Sequence, residues 1–186
     1  LVRTPHFEIE SNASEARTRY LAEKLERWQL VWRQLFLEYW TKSDAVKRWI
    51  AGTSSTPNTT RRFRVVFFAD RGEYLRQLGR TVRGIEKSTG YYGSNERTSF
   101  FYDGDELVQG TWRHELTHQL FRESGRTNKN ALDEQFIWID EGVATYFESL
   151  TDFGDFVTLG GFDARRIQYS RIRKLLEKFH IPIKQL

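Results

Sequence analysis

Residues 114–118 read His-Glu-Leu-Thr-His, and no other stretch restricts the fold of this chain so tightly. Two histidines four residues apart share a face only if the segment is helical, because four residues turn a helix by roughly 400° and leave the Cβ atoms about 5–6 Å apart. From one face, two imidazole nitrogens can reach a single divalent ion at roughly 2.0–2.1 Å. Glu115 is one residue past the first imidazole and falls beside the ion position, where a carboxylate can take up a proton and hand it on. With four histidines in 186 residues, this pattern is expected by chance about 0.007 times.

The chain has no cysteine, so disulfides are excluded and any metal must be held by nitrogen and oxygen. A catalytic Zn²⁺ takes three protein ligands and keeps one open position. The other histidines, His6 and His180, lie near the termini and outside metal-ligand spacing. No third histidine follows His118 at metzincin spacing. Downstream instead is Trp138-Ile139-Asp140-Glu141-Gly142-Val143-Ala144-Thr145-Tyr146-Phe147-Glu148.

This second segment, of the form W-x-x-E-G-x-A-x-Y-x-E, resembles the third-ligand helix of gluzincin peptidases, the thermolysin-like and aminopeptidase-N-like group. The resemblance implies Zn²⁺ bound by His114, His118 and Glu141, with Glu115 as catalytic base. Gly142 would permit close approach of the two active-site helices. The paired motifs run from Trp112 to Glu148, about a fifth of the chain, with 22 residues between His118 and Glu141. The whole-chain pattern resembles the peptidase-MA-like family of unknown function. The resemblance also implies that the strand before the first zinc helix, Arg97 to Tyr102, is the sheet edge on which extended peptides lie. Such enzymes supply a Tyr or His to stabilise the oxyanion. No motif identifies that residue here; Tyr91, Tyr92, Tyr102 and Tyr146 are candidates.

Along the chain, His6 to Glu10 alternates as a half-buried strand. Ser14 caps a long amphipathic helix running to about Thr41, with Leu21, Leu25, Trp28, Val31, Trp32, Leu35 and Phe36 at three- and four-residue steps as core. A short helix from Asp44 to Ala51 ends at Gly52, and a polar loop follows to Thr60. Arg62 to Ala69 has the β-branched and aromatic content of a buried strand, and Asp70 caps a helix through Leu78. Gly79 to Glu96 reads as a long loop, Arg97 to Tyr102 as a strand and Glu106 to Arg122 as the first motif helix. After a polar connection, a helix from Ile139 to Leu150 carries the second motif, with Asp140 as its cap. A glycine-rich turn and a final basic helix, capped by Asp163 and ending near Phe179, complete the order. The expected architecture is α+β: a zincin-like metalloprotease fold with a small twisted sheet and two active-site helices, in one domain spanning 1–186.

Composition bounds the alternatives. Hydrophobic residues make up 39% and charged residues 29%, which supports a folded core and argues against wholesale disorder. No apolar run approaches the ~20 residues of a membrane-spanning helix. The net charge of +4 is spread over short segments, so no specific nucleic-acid partner is expected. Leu1 is not an initiator, so the sequence is expected to be a segment of a longer chain. Its compartment is open, a secreted or periplasmic one following if a signal peptide has been removed. The function expected is zinc-dependent hydrolysis of a peptide or protein substrate. Two other readings remain: a zinc-bound domain without turnover, and an anion-binding module built on Arg165, Arg166, Arg171, Arg173 and Lys174. Against the latter, Ile167, Ile172, Leu175, Leu176 and Phe179 form an apolar stripe beside those charges, which favours a solvated helix face. Glu148 reads equally as a substrate or ligand-supporting contact and as a solvated residue. Thr145 reads equally as a partner of a zinc-bound imidazole and as packing.

Overall fold

The computed structural model describes residues 1–37, 47, 48, 50–53, 61–124, 137–161, 165–179 and 181. The chain divides into two compact units, Leu1–Asn128 and Lys129–Leu186. Among the described residues the architecture is α+β, with five α-helices and a mixed sheet.

In the first unit the strands are β1 (Val2–Arg3), β2 (Phe7–Ser11), β3 (Phe63–Phe68), β4 (Tyr91–Gly93) and β5 (Thr98–Tyr102). They form one sheet in the order β1-β2-β3-β5-β4. The inner strands β2, β3 and β5 are parallel, and an antiparallel strand flanks them on each side. Parallel neighbours need crossover connections, and helices α1 (Glu15–Leu35) and α2 (Arg71–Leu78) lie in those two connections. The third helix, α3 (Glu106–Ser124), follows β5 directly.

Strand alternation assigns the helices to faces. Phe67 pairs with Phe101 and Phe68 with Tyr102 in the β3–β5 ladder. Phe67 and Phe101 pack on Trp112 of α3, with ring centroids 5.5 and 6.2 Å away. Phe68 and Tyr102 instead pack on Tyr74 of α2, at 6.0 and 5.2 Å. So α3 covers one face and α2 the other. Helix α1 shares the face of α3, since Trp32 meets Phe121 edge-on at 5.1 Å and the Arg113 guanidinium lies over Trp28.

Local chemistry explains the helix ends. The Ser14 hydroxyl accepts from the Arg17 amide and the Asp70 carboxylate from the Glu73 amide, each satisfying an otherwise orphaned donor of the first turn. Leu21, Leu25, Trp28 and Trp32 form the buried row of α1. Leu35 does not belong to it: it is 48% exposed, because Phe36 at the helix end takes the place against Phe121, 4.8 Å away. Residues 47, 48 and 50 are helical. The Thr53 amide bonds back to the Arg48 carbonyl across Gly52, whose φ of 67° is the left-handed closing conformation. The rest of the helix expected from Asp44, most of the loop to Thr60 and the polar connection after Gly125 lie outside the described residues.

Two expectations about the sheet are corrected. The segment Gly79–Glu96 is not a plain loop: it holds a 3₁₀ turn, Ile85–Lys87, and the strand β4. Consequently the strand ending at Tyr102 is an inner strand, and Tyr91–Gly93 forms the edge. Arg97 stands outside the ladder, with a φ of 51°.

The second unit contains α4 (Ile137–Glu148), a hairpin of β6 (Thr151–Asp152) and β7 (Val157–Thr158), and α5 (Arg165–Leu176). The glycine-rich segment expected as a turn thus includes a paired hairpin. Asp140, Ala144 and Phe147 are the buried residues of α4. Asp140 is therefore not a cap: α4 starts at Ile137 and Asp140 lies within its first turn, where a carboxylate favours the helix dipole. Gly160, with a φ of 72°, abuts the Tyr146 ring so closely that a Cβ would come within 2.6 Å of it. Asp163 lies outside the described residues. No helix among the described residues is long and apolar enough to cross a membrane.

Trp112 is fully buried between Phe67 and Phe101. Trp112→Ala is expected to destabilise the first unit by about 3–5 kcal/mol, measured as a lower urea midpoint with an unchanged slope. A loss below about 1 kcal/mol would contradict its place in the core.

Candidate metal centre

Helix α3 begins after Asp105, whose carboxylate Oδ1 accepts from the amides of Leu107 and Val108. Beyond that cap the helix is buried on most sides. Trp112, Leu116 and Leu120, at four-residue steps, are fully buried, and so are Thr117 and Gln119. A helix that enters the interior in this way keeps its polar side chains only if they find partners.

His114 and His118 are both buried, 5% and 8% exposed. Their rings meet edge-on, 4.9 Å between centroids with planes at 78°. The i, i+4 spacing thus brings both imidazoles to one face, as a helical reading of the motif requires. Glu141, which belongs to the second unit, is exposed. One donor atom from each of His114, His118 and Glu141 lies within 4.8 Å of the other two, making a group that could hold a metal ion. A tetrahedral ion with ligands at 2.0–2.1 Å separates its donors by about 3.3 Å. Two imidazoles and a carboxylate without sulfur form a donor set suited to a first-row divalent ion.

Glu115 is half-buried and faces the sheet edge. Its Oε2 accepts from the Tyr92 amide at 3.0 Å. Gly90 approaches it closely: a Cβ there would sit 3.4 Å from Glu115 Cγ and 3.0 Å from Thr111 Cγ2. Thr111 and Thr89 share a hydroxyl hydrogen bond of 2.6 Å. Further along, the Gln119 amide donates to the Arg64 carbonyl and to Glu123, and its oxygen accepts from Ser99. The Glu123 carboxylate, 4% exposed, also accepts from Arg97 at 3.1 Å and from the Tyr92 hydroxyl at 3.3 Å. Burial, with the Glu123 carboxylate beside it, pushes the Tyr92 phenol well above its ordinary value and keeps it a donor.

Thr111, Glu115, Gln119 and Glu123 thus form one polar row at four-residue steps. The motif search missed Thr111, Gln119 and Glu123. The signal was weak: these polar residues repeat every fourth position, but Gln109, Arg113, Thr117 and Arg122 make much of the rest of the helix polar too. The Tyr92 amide carried no such signal, because a main-chain donor is common to every residue.

The oxyanion candidates fare differently. Tyr102 is buried against Tyr74, and the Tyr92 hydroxyl is engaged by Glu123. Tyr91 is half-buried and stacks on Phe100, and burial with the Glu96 and Glu115 carboxylates pushes its phenol up. Tyr146 is 44% exposed and belongs to the second unit. Also in that unit, Thr145 is half-buried and Glu148 pairs with Arg166 at 2.8 Å. Arg173 pairs with Glu177 at 2.5 Å. Arg166 and Arg173 are both among the basic side chains of α5.

Removal of one donor tests the group. His118→Ala and Glu141→Ala are each expected to weaken binding of a divalent ion at least tenfold, read by competition with a chromogenic chelator. Unchanged affinity in Glu141→Ala would remove that residue from the set. Compared with known proteins, the chain matches no family model, no curated protein and no solved structure.

Proposed function

We propose that this chain is a zinc-dependent peptidase of the gluzincin type with a zincin-like fold. His114, His118 and Glu141 are the residues that would hold Zn²⁺, and Glu115 is the general base. The observation that carries the reading is the gathering of those three donor side chains within 4.8 Å, with a carboxylate one residue beyond the first histidine. Nitrogen donors favour Zn²⁺ over Mg²⁺ or Ca²⁺, which prefer oxygen cages.

When bound, the ion supplies Lewis acidity toward a carbonyl oxygen and a water molecule. The chain's own part falls to Glu115. As the water oxygen bonds to the scissile carbonyl carbon, a water proton passes to the Glu115 carboxylate. As the C–N bond breaks, Glu115 returns that proton to the departing nitrogen. The carboxylate must be held near the reacting atoms without ligating the ion, and its bond to the Tyr92 amide serves that need. An extended peptide would lie beside β4, using main-chain groups other than the Tyr92 amide, which Glu115 already holds.

Glu115→Gln is expected to retain one zinc per chain while lowering hydrolysis of an internally quenched peptide library at least a hundredfold. Elemental analysis and a fluorescence assay read the two effects separately. Zinc lost together with activity would mean that Glu115 is a ligand. Activity that survives the substitution would remove it as the base.

A further inference from the structure

The row Thr111, Glu115, Gln119 and Glu123 has a second function beyond filling the interface between α3 and the sheet. We propose that the main-chain amide of Tyr92, anchored from behind by Glu123, is the positioning group for the Glu115 carboxylate. The proposal rests on the reading of Glu115 as the base and adds the element that holds it.

The anchoring runs in both directions along β4. Tyr91 and Gly93 pair with Phe100 and Thr98, and Tyr92 lies opposite Ser99. The Tyr92 amide goes to Glu115 Oε2, on the helix. Its side chain reaches the other way, to Glu123 two helical turns later. One residue therefore bridges the base and a buried carboxylate on the same helix.

Glu123 in turn is fixed by three donors: the Tyr92 hydroxyl, the Gln119 amide and the Arg97 guanidinium. Arg97 reaches it from a left-handed backbone conformation, φ 51°, which L-residues adopt only when their surroundings hold them there. At the other end of β4, Thr89 bonds Thr111, and the Gly90 backbone lies against both Thr111 and Glu115. The Ser88 hydroxyl bridges to the Gly90 carbonyl and tightens the entry to the strand. Contacts at residues 111, 115 and 123 thus fasten β4 and its entry to α3, while Gln119 ties the helix to Arg64 and Ser99 of the inner strands.

A glutamate side chain on an exposed helix samples many rotamers. A base must instead present its oxygen in a narrow range of positions, because small misplacements cost large factors in rate. The Tyr92 amide gives Oε2 a fixed donor, and the clamp on either side gives that donor a fixed place. The amide is a positioning group: it acts on Glu115, and Glu115 acts on the substrate.

Two measurements on the full zinc-loaded chain decide this. In the first, Tyr92 is replaced by its α-hydroxy acid, so that an ester oxygen stands where the N–H was and the side chain is kept. With a peptide drawn from an internally quenched library, kcat is expected to fall about tenfold, with KM and zinc affinity unchanged within about twofold. An unchanged kcat, or a raised KM alone, would overturn the proposal, since the amide would then be idle or would serve the substrate. In the second, amide hydrogen exchange at Tyr92 is followed by NMR. Protection in the wild type that drops at least tenfold in Glu115→Ala, with Phe101 protection kept, supports the bond. Equal exchange in the two proteins overturns it. The exchange arm needs no turnover. A wild type that cleaves nothing yet shows the exchange difference sinks the peptidase reading while leaving the hold on Glu115 standing.

Discussion

The first unit depends above all on the burial of α3 against the sheet. Trp112, Leu116 and Leu120 enter the core on one row, and Thr111, Glu115, Gln119 and Glu123 bond to the sheet and its neighbouring loop on the next. The apolar row supplies most of the free energy, since each large side chain withdrawn from water contributes on the order of 1.5–3 kcal/mol. The polar row supplies orientation: its partners are directional and would leave costly unpaired groups if the helix rotated. Between them the two rows allow one rotation of the helix about its axis. That rotation decides in which direction the shared face of His114 and His118 is presented.

The parallel strands β2, β3 and β5 fit the same logic. Their crossovers place α1 beside α3 on one face and α2 on the other, so β3 and β5 are buried on both sides at their Phe68 and Tyr102 ends, while Glu10 of β2 and Arg64 of β3 stay exposed. Hence Phe67 and Phe68, adjacent in sequence, both lie in core, one under Trp112 and one under Tyr74. The short antiparallel strands at the margins complete the sheet without a crossover.

Where the signals were local, the sequence was a good guide to the fold. Ser14 and Asp70 begin their helices by capping chemistry confined to a few residues, and the Phe63–Phe68 strand announces itself by composition. The motif helix followed from the spacing of its own histidines. What stayed hidden was non-local. Strand β4 is three residues of Tyr-Tyr-Gly whose extended state is imposed by β5. Asp140 looked like a cap because nothing in Ile137-Trp138-Ile139 marks a helix start. Leu35 continued an apolar period that Phe36 brings to an end in space. At the site, the two histidines were legible because their chemistry needs a fixed interval. The hold on Glu115 was not, since it joins residues 23 to 31 positions apart through a backbone amide and a buried carboxylate.

The packing of α3 also bears on how a metal ion would be taken up at His114 and His118. In small zinc domains the ion organises the chain, and removing it unfolds the chain, because no preformed site exists beforehand. Here Trp112, Leu116 and Leu120 fasten the helix on both sides of the imidazoles using contacts that involve no ion. For the two histidines, the entropy of assembly is spent during folding rather than at loading. On that packing, an ion held by His114 and His118 would be gained or lost without folding or unfolding the first unit.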